Sequence, residues 1–256
     1  MDIKVKKIKG NIILFNTDIK EGIDVYLNNK KINMIKDGYK WKIDYDFKKN
    51  GKYKFIIAFN NNISNMRGFF EDCSNVISLD FTNFDTSNVT DMAGMFNECH
   101  KLKEIKGINE FITNKVTNMS GMFQKCYELE YLDLSNFDTS NVTDMSFMFN
   151  KCHKLKEIKG INEFITNKVT NMRTMFQGCN ELEYLNLSYL DTSNVTDMAG
   201  MFFICNKLRY FNLLNFSVKG ETKSMFNFYH DTKCKFITNN KDLLKIYNST
   251  CNIFYY

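Results

Sequence analysis

Along most of the chain the apolar positions recur in one frame. The clearest copy runs Asn141-Val142-Thr143-Asp144-Met145-Ser146-Phe147-Met148-Phe149-Asn150-Lys151-Cys152 and reaches Leu155 three residues later. Met145, Met148, Phe149 and Cys152 stand at i, i+3, i+4 and i+7, the stripe of a short amphipathic helix. Asp144 precedes the stripe and is placed to accept from free N–H groups of a first helical turn. The same position alternates through Asp91, Asn118, Asp144, Asn171 and Asp197. A strand-like segment adjoins it, in which Leu129, Leu132 and Leu134 frame Glu130, Tyr131 and Asp133. The pattern therefore predicts one short helix and one strand in every repeat.

Six cysteines measure the period: Cys73, Cys99, Cys126, Cys152, Cys179 and Cys205, at spacings of 26, 27, 26, 27 and 26. A repeat of that length is one turn of a solenoid. The L-x-x-L-x-L frame marks leucine-rich repeats, so the expected fold class is α/β, a short helix plus a parallel strand per 26–27-residue turn. The longer turns read Ile105-Lys106-Gly107-Ile108-Asn109-Glu110-Phe111, and the shorter ones Leu132-Asp133-Leu134-Ser135-Asn136-Phe137. Residues 88–140 and 141–193 match at 43 of 53 positions, an internal duplication of a two-turn unit.

The ends depart from the repeat. Residues 1–60 read as a β-rich domain of about five strands that caps the solenoid. Trp41, Ile43, Tyr45 and Phe47 alternate with polar residues, as do Tyr53, Phe55, Ile57 and Phe59. Asn50-Gly51 between them predicts a hairpin, and a second is expected at Asn28-Asn29-Lys30 between Val25–Leu27 and Ile32–Met34. Residues 61–217 form the solenoid of about six turns. Residues 218–256 form a degenerate repeat and C-terminal cap, with Tyr229 at the cysteine position and a helix expected over Lys241–Tyr247.

Chemistry adds little to this frame. A cysteine beside Met and Phe behaves as a small buried hydrophobe, and parallel stacked side chains suit disulfide torsions poorly. The column is therefore expected to be reduced scaffold, with Cys234 and Cys251 the better candidates for reactivity. His100 and His153 each follow a column cysteine and read as exposed copies of one residue, not as metal ligands. No P-loop, G-x-S-x-G or H-E-x-x-H occurs. No catalytic residue, metal or cofactor is expected.

The outward strand positions carry the candidate binding face. The first runs Lys103, Glu130, Lys156, Glu183 and Arg209, alternating in sign at every step. The third begins Lys106, Asp133, Lys159. Strands about 4.8 Å apart would give each charge opposite neighbours. The middle column contains Tyr131, Tyr184 and Tyr210, aromatic anchors that suit a protein interface. A phosphate-binding stripe would carry one sign, so nucleic acid is not the expected partner. The net charge of +5 divides as +7 on residues 1–60 and −2 on the remainder.

The frame Asn141–Leu155 with Leu129–Ser140 closely resembles the BspA-like leucine-rich repeats, the bacterial surface protein 26-residue repeat, over about residues 63–216. That resemblance implies a right-handed solenoid and a role in protein–protein or cell-surface binding, with no catalytic residues. The expected function is a non-enzymatic protein-interaction module, a monomer with a protein partner and no membrane span. The alternative is an adhesin-like surface protein exported by an unrecognised route. Met1–Lys7 lacks an apolar signal core, from which a cytoplasmic location is expected, with the cell surface as the alternative.

Overall fold

In the computed structural model the stripe Met92, Met95, Phe96 and Cys99 is built from β-turns rather than from a helix. The structure describes residues 2–6, 13–16, 23–38, 40–44, 52–59, 63–227 and 234–251. Met95, Asn97 and Cys99 donate their N–H groups back to the carbonyls of Met92, Gly94 and Phe96, three overlapping i→i−3 turns. The intervening N–H groups of Met92, Gly94, Phe96 and Glu98 point along the stack to the carbonyls of Asn118, Ser120, Met122 and Gln124 in the next turn. Every donor of the segment is thus satisfied without an i→i−4 bond. Gly94 and Glu98 have φ of 61° and 60°, each at the third residue of its turn, as in a type II turn. A right-handed helix cannot contain such residues.

The expected helix per turn is therefore corrected, and with it the α/β assignment to a leucine-rich class. The fold is a β-solenoid of about six turns of about 26 residues. The apolar spacing misleads because overlapping three-residue turns and a 3.6-residue helix both place i, i+3, i+4 and i+7 on one side. The aspartate column does cap, but as a turn. Asp144 Oδ1 accepts from the Ser146 N–H at 2.8 Å, as Asp91, Asn118, Asn171 and Asp197 do two residues on. These residues also form a rung of isolated parallel bridges from Asn65 through Asp144 to Glu221.

The sheet strands are short. They are β1 (Asp2–Lys6), β2 (Ile13–Asn16), β3 (Ile23–Leu27), β4 (Lys30–Asp37), β5 (Lys40–Asp44), β6 (Lys52–Phe59), β7 (Val76–Asp80), β8 (Glu104–Lys106), β9 (Tyr131–Asp133), β10 (Glu157–Lys159), β11 (Tyr184–Asn186), β12 (Phe202–Phe203), β13 (Tyr210–Asn212), β14 (Phe226–Asn227) and β15 (Lys235–Ile237). The N-terminal strands join the solenoid edge to edge, in the order β2-β5-β4-β3-β6-β1-β7-β8. β1 runs antiparallel to β7, so it occupies the edge that the first turn would leave open. The β3–β4 hairpin forms as expected, with Asn28 and Asn29 at φ of 51° and 62°. The second expected hairpin does not: β5 pairs with β4 and β2, while β6 pairs with β1 and β3. Residues 45–51, with Asn50-Gly51, lie outside the described residues. At the other end, the helix α1 (Lys241–Cys251) forms where expected. Tyr229 is outside the described residues, as is the side chain of Cys251.

The core is a set of columns, one residue per turn. Phe70, Phe96, Phe123, Phe149, Phe176, Phe202 and Phe226 stack ring on ring, with centroids 5.5–5.8 Å apart and planes within 16°. Beside them lie the six column cysteines, all buried and all reduced. From Cys99 onward each thiol donates to the phenylalanine carbonyl of the preceding turn at 3.0–3.2 Å. Burial pushes the thiols up, to about 12 for Cys152 and Cys205. On the far side the buried hydroxyl of Thr139 donates to the Ile165 carbonyl (3.0 Å) and accepts its N–H (2.8 Å). Thr86 and Thr192 repeat the exchange.

Candidate binding face

Parallel, in-register pairing places the outward residues of successive strands side by side. β9 sets Tyr131 against Glu157 of β10, and β11 sets Tyr184 against Tyr210 of β13. Tyr184 and Tyr210 stack at 4.5 Å with planes 3° apart. Lys235 of β15 continues the column, its Nζ 5.7 Å from the centre of the Tyr210 ring. Tyr131 is 48% and Tyr184 58% exposed, while Tyr210 is half-buried under its neighbours. The three tyrosines thus divide into one single ring and one two-ring platform.

The charge columns are partly realised. Glu130 and Lys156 meet at 2.7 Å, and Asp133 and Lys159 at 2.9 Å. The Lys156 hydrogen bond holds the Glu130 carboxyl below its usual range, and Lys156 is raised in return. Lys103 does not reach Glu130; it turns to Glu128 at 3.6 Å, and Glu128 also takes Lys154 at 2.8 Å. Among the described residues no ion pair joins Glu183 and Arg209; the Arg209 N–H donates to the Glu183 carbonyl instead. A column missed in the sequence completes the pattern: Lys101, Glu128, Lys154, Glu181 and Lys207 alternate like the others, and Glu181 meets Lys207 at 2.7 Å. Its signal was present, one position before the leucine that opens each strand frame.

The sheet is also broken. β9 and β10 form one two-stranded sheet, while β11, β13 and β15 form another. The break follows the extra residue of the longer turn. Gly160 has φ of 83° and presses on the preceding turn, where a Cβ would stand 2.4 Å from the Ser135 Cα. Gly107 packs likewise on Phe81 and Thr82. After Gly160 a single 3-10 turn, Ile161–Glu163, carries the chain away from the strand line. The result is a groove of about 450 Å³ with Lys156–Glu163 on one bank and Tyr184–Asn186 on the other. The alternation of 26 and 27 residues is the sequence signal of this break.

The histidines differ from expectation. His100 and His153 are half-buried and stack on either face of Tyr127, at 4.6 and 4.8 Å. Burial, then the charge of Lys151, lowers the His153 pKa. Among the described residues no three of His, Cys, Asp and Glu converge as a metal site. No described helix is long and apolar enough to cross a membrane.

A family model described as a Mycoplasma protein of unknown function, DUF285, matches residues 64–159 and again 154–250. The two matches fall one after the other along the repeats and run into α1. No curated protein and no solved structure matches the chain.

Proposed function

The chain belongs to the family of Mycoplasma proteins of unknown function, DUF285, and for it we propose a non-enzymatic role as a protein-interaction module. The sheet face carries that role. The observation that supports it is the exposed Tyr184–Tyr210 platform beside the groove at Gly160. Large rings held rigid by stacking bury area with little loss of side-chain freedom, which is why tyrosine anchors interfaces. The charges around them set register with a partner and suppress wrong ones. The partner is a protein with an apolar anchor for the groove and charges complementary to Lys156, Glu183 and Arg209. The resemblance to BspA-like repeats supports binding as the role, at a cytoplasmic or a surface location. Protease treatment of intact cells separates the two locations: a surface module is removed and a cytoplasmic one spared.

The test is affinity purification from the native cell of the intact chain and of a Tyr131→Ala, Tyr184→Ala, Tyr210→Ala variant. All three rings are outside the core, so the variant folds, which its melting curve checks. A partner held by the wild type and released by the variant supports the sheet face. Equal recovery from both rejects it.

A further inference from the structure

The stacked tyrosines are covered at one end and open at the other. Tyr210 has Tyr184 on one face and Lys235 over the other, its Nζ 5.7 Å from the ring centre. Tyr184 gives one face to Tyr210, and its other face looks along the stack toward β10, across the break in the sheet. The groove of about 450 Å³ therefore has an aromatic wall, and its floor is apolar, made by the buried Ile158, Ile161 and Leu185.

Two carboxylates line the same groove. Glu157 stands on β10 in the column of Tyr184, one turn before it, and Glu163 ends the 3-10 turn after Gly160. Both side chains are exposed, and among the described residues neither carboxylate makes an ion pair or a hydrogen bond. The lysines of that bank are already engaged, Lys156 with Glu130 at 2.7 Å and Lys159 with Asp133 at 2.9 Å, both on the β9 side. Glu163 acts on Lys159 as well, but less than the Asp133 hydrogen bond does. With those two pairs neutral, the lining keeps the negative charges of Glu157 and Glu163. The first copy of the unit differs, although its residues here are the same. Glu104, at the position of Glu157, meets Lys106 at 3.9 Å, and Glu110, at the position of Glu163, accepts the Asn83 N–H at 3.0 Å. Tyr131 on its far bank has Glu157 beside it rather than a second tyrosine.

We propose that the groove between β10 and β11 takes an arginine side chain of the partner protein. Its guanidinium stacks on the open face of Tyr184, as Lys235 covers the far face of Tyr210, and makes charge-assisted hydrogen bonds to Glu157 and Glu163. Its methylene stem lies on Ile158 and Leu185, so the apolar anchor of the groove ends in a cation. A planar fork of five donors serves a ring face and two carboxylates at once, which a lysine ammonium does not. This rests on the reading of the sheet face as an interaction surface, and names the side chain which that surface holds.

The probe is N-acetyl-arginine amide, titrated to about 20 mM against the intact chain and followed by backbone amide NMR shifts, a range suited to a weak fragment. Saturable shifts are expected at Glu157, Gly160, Glu163 and Tyr184, with Glu104, Gly107 and Glu110 unmoved. N-acetyl-citrulline amide has the same shape without the charge and should bind at least about tenfold more weakly. N-acetyl-lysine amide should bind more weakly too, since its ammonium does not stack. A Glu157→Gln, Glu163→Gln variant changes only exposed groups and should lose the shifts. No shift at the highest concentration, binding of either analogue equal to that of the arginine probe, or binding that survives in the variant overturns the proposal. The same variant, taken through the affinity purification, separates the arginine anchor from the reading beneath it. A partner released by this variant and by the tyrosine variant agrees with the anchor. A partner kept by this variant but released by the tyrosine variant overturns the anchor and leaves the interaction surface standing.

Discussion

The thiol of Cys152 donates to the carbonyl oxygen of Phe123, 3.0 Å away in the preceding turn. That oxygen also accepts the N–H of Cys126 in its own turn. One buried carbonyl thus serves two turns, and the cysteine is the residue whose short, weakly polar side chain can reach it from within an apolar column. Cys152→Ala removes both the sulfur's packing and the bond, and should cost about 1–2 kcal/mol by chemical denaturation. The column should also resist alkylation in the native state, because burial holds the Cys152 thiol near 12 and only the thiolate reacts. Brief iodoacetamide treatment followed by mass spectrometry checks this; labelling of Cys152 before unfolding contradicts it.

Gly160 and Gly94 make opposite demands although both have positive φ. A Cβ at Gly160 would overlap Ser135 Cα at 2.4 Å, whereas at Gly94 the nearest atom is the Asn97 Cβ at 3.7 Å. Gly94→Ala should therefore cost only the left-handed backbone penalty of about 1–2 kcal/mol. Gly160→Ala should cost clearly more, because backbone must move. Equal costs for the two would show that the longer turn does not depend on that close approach.

Thr139 and Thr174 test the two sides of polar burial. Thr139→Val keeps the shape but strands the Ile165 N–H and carbonyl, so about 2 kcal/mol should be lost. Thr174→Gly removes a strained residue with an unpaired hydroxyl. The relief exceeds the lost methyl and the added chain entropy, for a gain of about 1 kcal/mol. A loss of stability in Thr174→Gly would mean that Thr174 is held by packing rather than kept at a cost.

The pH response should separate His153 from the carboxylates. Its pKa is lowered in the fold by burial and Lys151, so the unfolded chain binds more protons. The contribution is complete above the unfolded value of about 6.5 and is lost as the pH falls through and below it. Glu130 and Asp133 are also lowered, so their contribution holds until the pH falls below about 4. Between pH 7 and 5.5 the wild type should lose melting temperature and His153→Gln should lose less. Parallel curves would remove His153 from the account.

The period, the reduced cysteine core, the β3–β4 hairpin and α1 were all legible in the sequence, because each rests on local chemistry or strict recurrence. The helix was not. Met145, Met148, Phe149 and Cys152 fit turns and helix alike, and the discriminating signal was the glycine at 94, 121 and 200, poorly suited to a helix interior. Lys103 was assigned to Glu130 from spacing, but the extra residue at Gly107 separates β8 from β9, and it meets Glu128 instead. The β5–β6 hairpin follows in the sequence from two alternating segments joined by Asn50-Gly51, and such local signals do not decide which strands pair across a sheet.

Lys156 pairs with Glu130 on the β9–β10 sheet, while Glu183 belongs to the next sheet, across the break. Lys156→Glu replaces an ion pair of 2.7 Å with a repulsion and should lower the melting temperature, less so at high salt. An unchanged melting temperature at low salt would show the pair to be ornamental.

The central claim is that the tyrosine platform meets a protein partner. A photo-reactive phenylalanine analogue at Tyr184, irradiated in the native cell, tests it most directly, with the same analogue at Lys115 as the control on another face. The account predicts one discrete adduct from Tyr184, abolished by Tyr210→Ala, and none from Lys115. No adduct at Tyr184, or the same adduct from both positions, would contradict it.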